Sequence, residues 1–139
     1  MTVEENKALM KRFYDEVLNQ GNIDMVDEFV DEEIIDHNPT VMEQAEGLEG
    51  ILQGISHIRE GFPDINFEIK EILGEEDRLA IVIRITGTHQ GKFWGIEPTG
   101  KNIDTTIIDV MKFKDGKIYE RWGLFDVYQL MQQLGQEAA

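Results

Sequence analysis

The stretch "TTIIDVMKFKDGKIYERW", residues 105–122, carries two runs of strand-forming residues on either side of Asp115-Gly116. Thr, Ile, Val and Phe favour the extended chain. Asp-Gly between apolar runs is a strong signal for a tight hairpin. The stretch therefore reads as two antiparallel strands. Asp109 interrupts the first of them. Side chains alternate along a strand, so a water-facing Lys112 takes Val110 and Ile108 with it. Asp109 then turns inward with Ile107, Met111 and Phe113. A carboxylate on an apolar wall has a raised pKa unless a cation pairs with it. Asp109 is thus a candidate proton acceptor, or half of a structural ion pair.

In the second strand, alternation groups Ile118, Glu120 and Trp122 on one side and Tyr119, Arg121 and Gly123 on the other. Folded across the turn, Glu120 and Trp122 are expected roughly opposite Asp109 to Met111. Two carboxylates and an indole on one wall would suit acid/base work beside a flat ligand. The structural alternatives are core packing for Trp122 and a salt bridge, for instance to Arg84, for Glu120.

Upstream, "DINFEIKEI" places Ile65, Phe67 and Ile69 on one face. "LAIVIRITGTH" places Leu79, Ile81, Ile83 and Ile85 on one face and Arg84, Thr86 and Thr88 on the other. Before the strands come helices. Thr2 and Glu5 match a capping box, and Leu9, Met10, Phe13, Tyr14, Val17 and Leu18 recur at helical spacing up to a Gly21 cap. A short second helix carries Ile23, Val26, Phe29 and Val30, "IIDHNP" is extended, and a third helix runs near residues 48–60. The tail "DVYQLMQQLG" is helical to Gly135. Helices first and antiparallel strands second argue for an α+β fold, one domain over 1–139.

The chain has 28 acidic and 13 basic residues, a formal net charge of −15. Such a surface repels phosphate backbones and anionic membranes, so neither nucleic acid nor membrane is an expected partner. No apolar run approaches the ~18 residues of a membrane span, and "MTVEENKALMKRF" lacks a signal-peptide core. A cytoplasmic location is expected. The chain has no cysteine, so disulfides, thiolate metal sites and thiol nucleophiles are excluded.

Of the three histidines, His37 lies in "DHNP", His57 on the third helix, and His89 ends a strand with the parity of the inward isoleucines. No two show metal-binding spacing, so no metal is expected. No phosphate-binding glycine pattern opens a helix, and Ser56, the one serine, lies in no nucleophile elbow.

The motifs "DHNP", "GLEGI", "GFPDINFEI", "TGTHQGKFWGIEPTGK", "FKDGKIYERW" and "DVYQLMQQLG" resemble those of the SnoaL-like polyketide cyclases, over nearly the whole chain and most strongly over 86–135. The resemblance implies the cone-shaped fold of ketosteroid isomerase and nuclear transport factor 2, with N-terminal helices packed on a curved antiparallel sheet around a pocket. It implies cofactor-free acid/base chemistry on a carbonyl-activated small hydrophobic molecule such as a polyketide ester. It also implies a homodimer or higher homo-oligomer joined through the outer sheet face. The family's acid/base aspartate follows the tryptophan of the last strand, and here that position is Gly123. The polar partner on the preceding strand, histidine in the cyclases, falls on Asp109. On this reading Asp109, His89 and His37 are the catalytic candidates. Glu120, Trp122, Ile107, Met111 and Phe13 are the substrate-binding ones. A non-catalytic small-molecule binding protein of the same fold is the alternative.

Overall fold

In the computed structural model, which describes residues 1–136, helices pack on a five-stranded sheet. Helix α1 (Val3–Arg12) starts at the expected capping box: Thr2 Oγ1 accepts from the Glu5 amide at 3.1 Å and Glu5 Oε1 accepts from the Thr2 amide at 3.2 Å. The chain continues without a break into a π-helical segment, Phe13–Asn19. Here Phe13, Tyr14, Val17 and Leu18 are buried. A 3₁₀ turn (Ile23–Met25) and a one-turn helix α2 (Val26–Phe29) lead into strand β1 (Val30–Asp36). Helix α3 (Gly47–Gly61) buries Ile51, Ile55 and Ile58 and packs against β1.

Strands β2 (Asn66–Glu75), β3 (Arg78–Thr88), β4 (Asn102–Lys114) and β5 (Lys117–Phe125) follow, and α4 (Val127–Gln133) closes the described chain. The sheet order is β1-β5-β4-β3-β2, all antiparallel except the parallel β1–β5 pair. The β4–β5 hairpin turns at Asp115-Gly116, both in the left-handed region at φ 51° and 78°. That is the geometry for which Asp-Gly is selected.

Alternation in β3 and β4 is unbroken. Leu79, Ile81, Ile83 and Ile85 are buried on one face of β3, and Ile107, Asp109, Met111 and Phe113 on the same face of β4. Burial of each such aliphatic side chain stabilises by roughly 1.5–3 kcal/mol.

The facing expected for β5 needs correction. Lys112 pairs with Glu120, but Phe113 pairs with Ile118, so Tyr119 is an extra, unpaired residue. A bulge of this kind shifts the side-chain period by one. Ile118 stays inside, whereas Glu120 and Trp122 pair with the outward Lys112 and Val110. Arg121 and Gly123 pair with the inward Met111 and Asp109. A second bulge, at Lys70 in β2, adds to the bend of the sheet. The opposite, outer face presents Val82, Ile108, Val110, Trp122 and Leu124, with Ile108 50 % and Leu124 66 % exposed.

Candidate functional site

A partly open cavity of about 60 Å³ lies between the sheet and the helices. Phe13, Ile107 and Met111, all expected to contact a ligand, line it, as do Ile55, Phe67 and Phe125. One end is polar, and four elements supply it: Tyr14 from the π-helical segment, Asp36 from the end of β1, Asp109 from β4 and Arg121 from β5.

Asp109 is only 3 % exposed and is not alone. Tyr14 donates its hydroxyl to Asp109 Oδ2 at 2.6 Å, and Arg121 Nη2 donates to Asp109 Oδ1 at 3.2 Å. Arg121 Nη1 donates to Asp36 Oδ1 at 2.9 Å and to the Asn38 carbonyl at 3.1 Å. Asp36 Oδ2 in turn accepts from Gln44 Nε2 at 3.2 Å, and Gln44 Oε1 accepts from the Thr40 amide at 3.0 Å. A single chain of contacts thus runs from Tyr14 through both carboxylates and the guanidinium to the segment after β1.

Burial pulls the Arg121 guanidinium down, but the charges of Asp109 and Asp36 outweigh it and hold it above its usual value. It is a permanent cation. Burial, and next the Asp109 charge, push the Tyr14 phenol well above its ordinary range. Tyr14 is therefore a neutral hydrogen-bond donor.

Gly123 faces Asp109 across the β4–β5 pair. A β-carbon built there would collide with Arg121 Nη2 and Asp109 Oδ1. The guanidinium occupies the room that a larger side chain at 123 would use.

The remaining candidates stand elsewhere. His37, Glu120 and Trp122 do come together, but on the outer side. The His37 ring stacks on Trp122 at 4.7 Å, and His37 Nε2 lies 2.6 Å from Glu120 Oε2. Glu120 takes this partner rather than Arg84, which pairs with Asp104 at 2.6 Å. His89 is fully buried beside Phe62, and its Nδ1 accepts from the Thr99 amide at 3.2 Å. It does not line the cavity. Among the described residues no three His, Asp or Glu side chains are grouped to hold a metal ion.

Sequence reasoning missed Tyr14, Arg121, Asp36 and Gln44. Tyr14 was legible in principle: a tyrosine in an apolar helical stripe buries a hydroxyl that needs a partner.

An α-helical layer on a bent sheet, with a small cavity between them and a carboxylate on the sheet wall, defines a cone-shaped protein of the nuclear transport factor 2 type. The profile of the SnoaL-like polyketide cyclases matches residues 8–134, and the chain belongs to that family. Among solved structures it is similar to TsrD from Streptomyces laurentii, 23 % identical over 99 % of both chains with a TM-score of 0.90, a likeness of fold. It is similar to AclR, a candidate hydroxylase from Streptomyces galilaeus, at 28 % identity over 99 % of this chain and 85 % of that one, TM-score 0.84. A candidate polyketide cyclase from Bacillus cereus is 32 % identical over 96 % of this chain and 83 % of its own, TM-score 0.81. No curated protein matches the chain.

Proposed function

We propose that the protein is a cyclase- or isomerase-like catalyst that needs no cofactor. It works by acid/base chemistry on a small, largely apolar molecule activated by a carbonyl. The observation that carries this reading is the carboxylate of Asp109 on the wall of an otherwise apolar cavity, with a neutral phenol and a guanidinium hydrogen-bonded to it. Asp109 takes the proton from the carbon next to the carbonyl. Tyr14 and Arg121 hold the carboxylate in place, in a site from which bulk water is excluded. Family membership and the Bacillus cereus relative, whose description is that of a candidate polyketide cyclase, support the same class of reaction.

Small-molecule pockets usually measure ~300–1,000 Å³, so a polyketide-sized ligand requires the walls to part. The segment 37–46 is the wall to move. It is held by Gln44 and by the Trp94 indole, which donates to the Thr40 carbonyl at 2.7 Å.

One observation favours the non-catalytic alternative. Asp109 is already committed to Arg121, and the neighbouring position 123 has no side chain to share the work. The two readings part in one experiment: a panel of apolar β-keto esters in D₂O, with loss of the α-proton followed by NMR. Catalysis predicts exchange faster than the buffer rate, abolished in Asp109→Asn. Ligand line broadening with no exchange selects the binding protein. Neither effect across the panel counts against both.

A further inference from the structure

The charges around the cavity do not cancel. Asp36 and Asp109 contribute two carboxylates, Arg121 a single guanidinium, and no other lining residue is charged. Tyr14 stays protonated and leaves the balance unchanged. One negative charge is therefore in excess at a place where Asp36, Asp109 and Arg121 expose only 9 %, 5 % and 13 % of their side chains. Solvent does little to screen a charge so enclosed, and interactions there are strong.

The wall of the cavity is also aromatic. The aromatic rings of Phe13, Tyr14, Phe67 and Phe125 line the cavity. Ring faces attract cations, more strongly when the cation is stripped of water. The protein as a whole carries −15, so its field concentrates cations and depletes anions near the cavity mouth.

From these observations we infer that the molecule taken up by this cavity is an apolar compound bearing a protonated amine. The inference rests on the cavity being the ligand site proposed above, and it names the class of ligand. When Asp109 takes the proton it becomes neutral, so the negative charge passes to the enolate and the net charge of the site is unchanged. If the substrate carries its own ammonium group close to the reacting carbon, the enolate forms as part of a neutral zwitterion. The ammonium sits against Asp36 and the rings, and the carbonyl oxygen lies toward Arg121.

The test is a ¹³C-methyl NMR titration with three probes of one shape and different charge: isobutylamine, isobutanol and isobutyrate. Moderate salt screens the outer surface, and the isoleucine methyls of Ile55, Ile107 and Ile118 report on the cavity. The amine is expected to shift these methyls and to bind at least about tenfold more tightly than the alcohol, since an ionic hydrogen bond is roughly twice as strong as a neutral one. Isobutyrate is expected to leave them in place. Asp36→Asn, which removes the excess charge, is expected to bring amine and alcohol to equal affinity. If the alcohol binds wild type as well as the amine does, the charge assignment is wrong while the cavity remains the ligand site. Were the amine's advantage to survive Asp36→Asn, the assignment would fail in the same way. No shift of the cavity methyls with any probe overturns both the inference and the ligand site beneath it. The ranking on wild type decides the matter even where Asp36→Asn does not fold.

Discussion

Arg121 fills the space that a side chain on Gly123 would need. The two residues lie on the same face of β5, and the guanidinium reaches across bare glycine backbone to Asp109. Gly123→Ala therefore pushes a β-carbon into a buried ion pair. The cost expected is about 1–3 kcal/mol, typical of an overfilled interior. Urea denaturation of wild type and variant measures it, and a variant as stable as wild type would show that the pair relaxes freely.

The guanidinium has two carboxylate partners, and each of those depends on it. Arg121→Met leaves two buried carboxylates without a cation, so a loss of about 3–5 kcal/mol is expected. Asp109→Asn is milder. Arg121 keeps Asp36, and the new amide oxygen still accepts from Tyr14, so about 1–3 kcal/mol is expected. The order of the two variants in chemical denaturation at neutral pH is the check. If Asp109→Asn is the more damaging, Asp109 is chiefly architectural and its role as a base is lost.

Tyr14 holds its proton in the folded protein long after an unfolded tyrosine, at about pH 10, has released its own. Above that pH the native state binds more protons than the unfolded chain, so stability falls as pH rises. Tyr14→Phe removes the group that titrates. It is expected to flatten the alkaline limb of the stability–pH curve, while costing about 1–3 kcal/mol at neutral pH through the lost hydrogen bond to Asp109. An alkaline limb identical in the two proteins would contradict the assignment.

The outer sheet face is proposed to meet a second copy of the chain. Ile108 and Leu124 stand half or more exposed beside Val110 and Trp122, a larger apolar surface than a solvated sheet usually shows. Sedimentation at micromolar concentration is expected to give at least a dimer. Ile108→Lys with Leu124→Lys is expected to give a monomer that keeps its fold by circular dichroism. A monomeric wild type would end the proposal.

Much of this architecture was legible because alternation in β3 and β4 is regular. Lys112 outward implied Asp109 inward, and the structure agrees. The capping box at Thr2 and the Asp115-Gly116 turn were equally direct, since each is a local motif with its own hydrogen bonds or dihedral angles. The polar end of the cavity was harder. Tyr119 carries no mark that makes it the extra residue, and counting in twos through it sent Arg121 outward and Glu120 and Trp122 inward. Comparison with the family put position 123 in the pocket, where counting from the turn did not. Asp36 and Gln44 reach the cluster through tertiary contacts from the segment around β1, and nothing local in "IIDHNP" announces them.

The unpaired Tyr119 also bears on how roles are carried between relatives. A bulge shifts which side chains face the cavity without altering a single one of them. In a relative that lacks the extra residue, a side chain aligned with Arg121 by distance from the turn points away from the cavity, and its neighbour points in. Equivalence in this strand is therefore a matter of pairing partner rather than of column. The residue to compare with Arg121 is whichever one sits across from the counterpart of Met111, and the residue to compare with Gly123 is whichever faces the counterpart of Asp109.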